Sequence, residues 1–403
     1  MKILYVIHQF YPEFGSGTEK FLFNLSSALQ RDGNTVHVIA YTFQERDTRR
    51  EDGVLVREYS YRGIPVTAVR ETKLPIDINM SWGTAAIANF AQEFLRKQKP
   101  DIVHLAHAMR LGPFAEAARM LGIPYVMTLT DFWTICPKIT LQTSSGNLCA
   151  GPKCGDECSQ LCPELDQEMV RARLRQSGHV LENAQAVVAP SRFVASLVQA
   201  EFSKMKIRII PHGIRRPRSL RPPKTYRPGD KLVFGYAGGL APHKGVHILI
   251  SAFRNLTGIA ELRIYGSHFE QPDYFELLKQ TANGDTRIRF CETYSDEQLD
   301  SIFAGLDLLI VPSVWYETYS FSAHEALARG IPVIASKLGA LQEAVQDGVS
   351  GFTVVPGNVE ELARNVEALI ANPEQLNRIT ANLRARVAPM LEEEAYLYQR
   401  LYA

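Results

Sequence analysis

Residues 307–336, DLLIVPSVWYETYSFSAHEALARGIPVIAS, narrow the fold more than any other part of the chain. The DLLIVPS run has an uninterrupted Leu-Leu-Ile-Val centre, which suits a strand buried on both faces, as in a parallel sheet. Over 321–329 apolar and small residues recur at helical spacing. Gly330 follows where a helix C-terminus favours a left-handed residue, and Pro332 opens a second buried-strand run, PVIA. The expected order is strand, loop, helix, strand. Doubly wound sheets bind ligands beyond the carboxyl ends of their strands, and that place holds Glu317 in the loop and Glu325 inside the helix. The helix start offers backbone N–H groups and the positive end of a dipole, which suit a phosphate. Plainer readings compete here: Glu317 as a surface acid, and Ser322-Ala-His-Glu325 as a capping box in which Glu325 only accepts from the Ser322 N–H.

The same alternation runs through the chain. In the first half the strand-like runs ILYVI, TVHVIA, DIVHL, YVMTLT, AVVAP and IRIIP alternate with helical patterns. The clearest of these is Phe21, Leu22, Leu25, Ala28 and Leu29, closed by Gly33. The second half restarts with LVFGYAG, then ELRIYG, RIRF, DLLIVP, PVIA and FTVV. Strands separated by helices imply parallel βαβ units. At 403 residues, two domains are the default. The expectation is an α/β chain of two Rossmann-like domains facing a central cleft: 1–214 with a cysteine-rich insertion at 136–163, a linker at 215–230, and 231–388. A final helix at 389–403 is expected to pack back on the first domain.

The linker assignment rests on composition. Residues 215–227 hold Arg215, Arg216, Arg218, Arg221, Lys224 and Arg227 without an acid, together with Pro217, Pro222 and Pro223. That reads as a stiff, solvated connection. Hydrophobic content of 46% and charged content of 22% are those of a globular protein, and a net charge of +1 gives no reason to expect a nucleic-acid partner. Five apolar residues before His8 are too few for a signal peptide, and no run approaches the roughly 20 apolar residues of a membrane helix. A cytoplasmic location is expected, with peripheral contact at the inner face of a membrane left open. The helical pattern at 169–181, with Arg171, Arg173 and Arg175, reads as a normal surface helix.

Glycine turns follow the strands at three places. Gly15-Ser-Gly17-Thr18-Glu19 lies between the first strand and helix, with Thr18 a plausible N-cap, and such a turn can present N–H groups to an anion. Gly238-Gly239-Leu-Ala-Pro-His-Lys244-Gly245 repeats the arrangement and adds Lys244 at a helix start. A cation there opposes the helix dipole, which argues for an anionic ligand. Gly266, after LRIY, is explained equally well by a plain turn.

Together these pieces resemble a GT-B glycosyltransferase of the large retaining family 4, over nearly the whole chain. The resemblance is carried by Glu317 and Glu325 with seven residues between them, the loop from Gly239 to Lys244-Gly245, and PSRFVASLVQAEF with IRIIPHG at 190–213. It is carried also by DGVSGFTVVPGN at 347–358 and by the glycine turn before Glu19. It implies transfer of a sugar from a nucleoside-diphosphate donor to a saccharide or lipid-linked saccharide in cell-surface polysaccharide or glycoconjugate synthesis. Glu325 would hold the ribose and Lys244 the diphosphate. Glu317, with the region of Thr318, Tyr319, Ser320 and Phe321, would hold the sugar and phosphate. The base would lie at Glu292 and Thr293 within the turn 291–294. Gly17 and Thr18 would approach the phosphate, and Asp131 and His107 the acceptor. Lys244, helix amides and glycine turns would stabilise the departing diphosphate without a catalytic cofactor or metal. In two places the chain departs from the family: Gly239 stands where an Arg is usual five residues before the Lys, and Thr130 where a His is usual. A binding-only relative, a nucleotide-sugar epimerase and a phosphorylase are the competing readings. A dehydrogenase is disfavoured because neither half carries G-x-G-x-x-G.

Five of the six cysteines, Cys136, Cys149, Cys154, Cys158 and Cys162, fall within 27 residues rich in Gly and Pro. In a cytoplasmic protein such clustering favours a metal over disulfides. A structural zinc held by four of the five is the expectation, with disulfides, free thiols and an iron–sulfur cluster as alternatives. The loop leaves the first domain directly after Asp131, so it is expected to shape the acceptor pocket.

Overall fold

The computed structural model describes residues 1–75, 77–218, 224–267, 271–385 and 388–403. The chain divides into two compact units, Met1–Gly213 with Met390–Ala403, and Ile214–Pro389. Arg221, Pro222 and Pro223 of the linker lie outside the described residues. Of its neighbours, Tyr226 is buried in the core of the second unit, and Lys224 pairs with Asp307 at 2.7 Å. Lys224 and Tyr226 therefore anchor the linker on the second unit, while Arg216, Arg218 and Arg227 are exposed as expected of a solvated connection.

The first unit begins β1 (Lys2–Ile7), α1 (Gly17–Arg31) and β2 (Thr35–Tyr41). It continues through β3 (Arg49–Glu51), β4 (Val54–Tyr61), β5 (Ile64–Glu71), α2 (Ala85–Gln98), β6 (Ile102–Leu105), α3 (Pro113–Met120) and β7 (Tyr125–Thr128). Then come α4 (Asp156–Leu161), α5 (Gln167–Glu182), β8 (Ala186–Ala189), α6 (Arg192–Glu201) and β9 (Ile207–Ile209). Its nine strands form one sheet in the order β3-β4-β5-β2-β1-β6-β7-β8-β9. Every predicted strand of this half is present.

The β3–β4–β5 meander is an addition that periodicity did not disclose. Two tight turns build it, Asp52-Gly53 and Arg62-Gly63, and all four residues have positive φ, as two-residue hairpins require. Pro65 inside β5 weakens the strand pattern, yet it lies on the antiparallel side of the pair, opposite Ser60.

The second unit contains β10 (Leu232–Ala237), α7 (Val246–Arg254), β11 (Ala260–Tyr265), α8 (Pro272–Ala282), β12 (Ile288–Cys291) and α9 (Leu299–Ala304). It closes with β13 (Leu308–Val311), α10 (Phe321–Ala328), β14 (Val333–Ser336), α11 (Leu341–Ala344), β15 (Gly351–Val354), α12 (Val359–Ala371) and α13 (Gln375–Ala385). The six strands are all parallel, in the order β12-β11-β10-β13-β14-β15. Burial on both faces explains their continuous apolar runs: every residue of β13 and of β14 is buried. The strand order reverses between β10 and β13, so a crevice opens at their carboxyl ends.

Helix α14 (Leu391–Tyr402) belongs to the first unit. It brings polar groups under that sheet: the Tyr402 hydroxyl lies 2.6 Å from His104 Nδ1, and the Tyr398 hydroxyl 2.8 Å from Thr128 Oγ1. Glu394 accepts from the Gly213 N–H at 2.8 Å and lies 3.2 Å from His212 Nδ1. A side chain at Gly213 would drive its Cβ to 2.4 Å from the Leu391 Cα, so glycine is needed for this approach. No described helix is long and apolar enough to cross a membrane.

Candidate functional site

In the second unit the loops after β10 and β13 flank the switch point and lock together. The Val314 N–H donates to the His243 carbonyl at 2.9 Å, and the Ala340 N–H donates to the Glu317 carbonyl at 3.0 Å. Gly245, at φ +72°, permits the approach, because a Cβ there would stand 2.0 Å from the Pro312 carbonyl oxygen. Lys244 lies in the short 3-10 turn (Pro242–Lys244) before α7, rather than in the helix itself. Its Nζ is 2.8 Å from Glu317 Oε1 and 4.7 Å from the centre of the Trp315 ring.

Glu317 is buried, not a surface acid, and three donors converge on Oε1. Besides Lys244 these are Ser313 Oγ at 2.7 Å and Trp315 Nε1 at 3.0 Å. Burial alone would push this carboxyl up. The Lys244 charge and the hydrogen bonds from Lys244, Trp315 and Ser313 outweigh it and hold the group below the ordinary carboxylate range. His243, packed on Trp315 with ring centres 4.1 Å apart, is held down at about 4 by burial and by Lys244, and so stays neutral.

Ser320 caps α10 from the left-handed region, at φ +68°, which is a strained conformation for a non-glycine residue. Tyr319 is buried and stacks on His324 with centres 3.9 Å apart and planes 6° apart. The helix starts at Phe321, so Ser322 is an internal residue and no capping box forms at Ser322 and Glu325. Glu325 is instead a buried acid one turn inside the helix, with its carbonyl accepting from Arg329 at 3.0 Å.

The remaining donor-side candidates divide. Gly239 has open space where its Cβ would stand. Gly266 is a packing glycine: its Cβ would stand 2.0 Å from the Gly238 carbonyl oxygen. Glu292 and Thr293 are exposed at the carboxyl end of β12, and Thr318 is half-buried beside Glu317.

In the first unit, His107 and Asp131 follow the adjacent strands β6 and β7. His107 Nε2 is 2.7 Å from Asp131 Oδ2, and Nδ1 accepts from the Met109 N–H at 3.1 Å, so the proton of the neutral ring sits on Nε2, towards Asp131. The other Asp131 oxygen accepts from the Trp133 N–H at 2.8 Å. Thr130, at the position where similar chains carry a His, is buried and donates to the Ala106 carbonyl at 3.0 Å.

The N-cap of α1 is Ser16, not Thr18. Glu19 supplies the reciprocal half of a capping box with Ser16, which shifts the start two residues upstream, so Gly17 and Thr18 lie in the first turn. Buried Glu19 is held above the ordinary carboxylate range by desolvation, despite its bonds to Ser16.

Two further groups gather here. The His8 ring lies 4.0 Å from that of His107, and burial, His107 and Arg110 hold it well below the usual imidazole range. Arg110, at φ +66° and buried, stacks over Tyr41 and Phe43. Among the described residues, His8 Nδ1, Glu19 Oε1 and Arg110 Nε are buried polar atoms without a hydrogen-bond partner, which fits a region built to receive a polar ligand. Only position could have flagged His8, which directly follows the first strand. Helix α5 is not a plain surface helix: Arg173 is buried, lies 4.3 Å from the centre of the Trp133 ring and donates to the Trp133 carbonyl at 3.0 Å.

Two Rossmann-like units, one of them bearing a buried carboxylate–lysine pair at its switch point, define a GT-B glycosyltransferase. The family 4 glycosyltransferase model matches residues 15–216, half of the chain, and the group 1 glycosyl transferase model matches residues 218–386. The chain belongs to glycosyltransferase family 4.

A D-inositol 3-phosphate glycosyltransferase of Mycolicibacterium smegmatis is 34% identical over 158 residues, covering 38% of this chain and 36% of that protein. A lipopolysaccharide 1,2-N-acetylglucosaminetransferase of Salmonella typhimurium is 26% identical, covering 48% and 55%. The chain thus spans between about a third and a little over half of the length of these relatives. A 2-deoxystreptamine glucosyltransferase of Streptomyces kanamyceticus is 24% identical over 84% of both chains. Among solved structures, Anabaena Alr3699/HepE in complex with UDP and glucose superposes with a TM-score of 0.71 at 19% identity, covering 99% of this chain and 98% of that one. Sucrose-phosphate synthase from Thermosynechococcus elongatus gives 0.72 at 20% identity, covering 100% and 98%.

Proposed function

We propose that the chain is a retaining glycosyltransferase that moves a sugar from a nucleoside-diphosphate donor to a saccharide or lipid-linked saccharide of a cell-surface polysaccharide or glycoconjugate. The observation that carries the reading is the Lys244–Glu317 pair at the switch point of the second unit, beside the start of α10. As the sugar–phosphate bond breaks, positive charge grows on the anomeric carbon and negative charge on the diphosphate. Lys244 and the amides at the start of α10 are assigned to the diphosphate, Glu317 to the sugar and Glu325 to the ribose. In this reading the acceptor oxygen bonds to the anomeric carbon on the face the diphosphate leaves, and its proton passes to a diphosphate oxygen. His107 and Asp131 are assigned to the acceptor.

A UDP-bound neighbour of the same fold puts UDP-sugars first in the donor screen. The test is calorimetric titration with UDP-, GDP-, ADP- and dTDP-sugars, followed by transfer assays in which NMR reads the anomer of the product. Turnover with retained configuration is expected. Inverted product overturns the retaining assignment. Binding without turnover on any acceptor selects a binding-only relative, and product formed without an acceptor selects an epimerase.

A further inference from the structure

The stretch from Cys136 to Cys162 contains little that ordinarily orders a chain. Its regular elements are a 3-10 turn (Lys153–Gly155), the six-residue α4 and one isolated bridge between Gln142 and Leu148. Yet four of its cysteines, Cys136, Cys149, Cys158 and Cys162, line a single small cavity of about 10 Å³, together with apolar residues such as Leu141 and Leu165 and with Gln142 and Glu157. Cys158 and Cys162 stand one helical turn apart, the Cys162 N–H donating to the Cys158 carbonyl at 2.9 Å. The Cys158 sulfur lies within electrostatic reach of those of Cys136, Cys149 and Cys162. Cys154 is exposed and does not line the cavity.

Two details concern charge rather than packing. The Gly151 N–H donates to the Cys149 sulfur at 3.4 Å, and the backbone at Lys138 and Leu141 faces the Cys136 sulfur. The Cys149 thiol in turn donates to the Gly151 carbonyl at 3.5 Å, and once its proton is lost the same amide can bond the thiolate. Buried Arg173 also lies within electrostatic reach of Cys136. Four thiolates around a divalent cation leave two negative charges, and Arg173, held by the Trp133 ring and the Trp133 and Met80 carbonyls, stands where it would offset part of them.

We infer that Cys136, Cys149, Cys158 and Cys162 form a structural zinc site that orders this loop, with Cys154 the spare thiol. As placed, no three His, Cys, Asp or Glu side chains among the described residues are close enough together to hold an ion, so the assignment requires the four thiols to rotate into the cavity they share when the metal binds. Binding releases the four thiol protons, and the metal lies about 2.3 Å from each sulfur. The ion substitutes for the core that the loop lacks.

The test uses the full chain, purified from zinc-supplemented cells with reductant and without chelator, and needs no sugar substrate. Its result is therefore independent of the transferase reading. Elemental analysis is expected to find about one zinc per chain, all of it released by an organomercurial. Cys154→Ser keeps that zinc, while Cys136→Ser and Cys158→Ser fall below about 0.2 per chain. Should these variants fail to fold, exchange of cobalt into the wild-type chain gives a second readout, the thiolate-to-cobalt absorption of a four-sulfur site. Negligible zinc in the wild-type chain, iron with acid-labile sulfide, a disulfide among the four cysteines, or loss of metal from Cys154→Ser overturns the assignment.

Discussion

Lys244 Nζ and Glu317 Oε1 lie 2.8 Å apart although 73 residues separate them in the chain, and both sit at the carboxyl ends of neighbouring strands, β10 and β13. The pair is not an ornament of the surface. Exposed ion pairs contribute little, but a carboxylate buried with one cation depends on it strongly. Because burial is the largest influence on Glu317 and acts to raise its pKa, removing the cation should let burial win. In Lys244→Met the Glu317 carboxyl is expected to titrate above the ordinary carboxylate range, as followed by carbon-13 NMR of labelled glutamate. A group still titrating below that range would show that Ser313 and Trp315 suffice without the lysine.

The same pair predicts kinetics. If Lys244 meets the departing diphosphate, Lys244→Ala should lower kcat by roughly 100- to 1,000-fold, the loss found when one donor to a developing anion is removed. Glu325→Gln should act chiefly on donor KM, because the ribose is bound equally in the ground and transition states. The two variants, assayed side by side with the identified donor, are expected to separate in this way. A kcat unchanged in Lys244→Ala sinks the assignment.

Much of the architecture could be read from the chain because parallel strands buried on both faces leave continuous apolar runs. The runs at 308–311 and 333–336 became β13 and β14 for that reason. The β3–β4–β5 meander escaped because Pro65 interrupts its apolar alternation, and Asp52-Gly53 was the signal that marked it. Glu317 and Lys244 were visible as residue types in strand-end loops, and Glu325 as an acid one turn into the helix that follows. What no periodicity can show is pairing at a distance: that Lys244 meets Glu317, or that the His8 ring packs against that of His107 across adjacent strands. Arg173 was misread because a helix with three arginines looks solvated, whereas one of them lies under Trp133. The N-cap of α1 moved from Thr18 to Ser16 because Glu19 closes its box with the residue three positions before it.

Gly239 offers a gain-of-function test. The family resemblance implies an Arg there, and here no atom lies within 4 Å of where the Cβ would stand, nor does the backbone adopt a positive φ. Gly239→Arg is therefore expected to fold with a melting temperature close to that of the parent and to bind the donor more tightly, as a second cation beside Lys244 should. Calorimetry with the donor that binds the parent measures the change, and unchanged or weaker affinity would remove position 239 from the diphosphate site.

Gly213 tests what fastens α14. A Cβ there would stand 2.4 Å from the Leu391 Cα and 2.8 Å from the Met390 carbonyl oxygen, both backbone atoms that cannot swing aside. Gly213→Ala should cost about 1–3 kcal/mol, the usual range for overpacking, and should speed hydrogen exchange across residues 391–402 more than elsewhere. Exchange that stays slow there while overall stability falls would place the strain elsewhere.

His104 makes stability depend on pH with a definite sign. It is fully buried between the Tyr402 and Thr128 hydroxyls, at 2.6 and 2.8 Å, and burial holds its pKa down at about 3, against an ordinary value of 6.5. Between those values the unfolded chain takes up a proton that the native ring refuses. The stability supplied by the neutral ring is thus complete above about pH 6.5 and is lost progressively as pH falls towards 3. Carboxylates contribute their own slope at low pH, so the informative quantity is a difference between two chains. His104→Gln removes the titration while keeping a polar group of similar reach. It should be less stable than the parent at pH 8, yet its urea-unfolding free energy should fall less steeply between about pH 6 and 4.5, by up to 1.4 kcal/mol per pH unit, the slope of one proton. Parallel curves for the two chains would mean that His104 is protonated in the native state, and that its two hydroxyl partners act as acceptors around a buried cation.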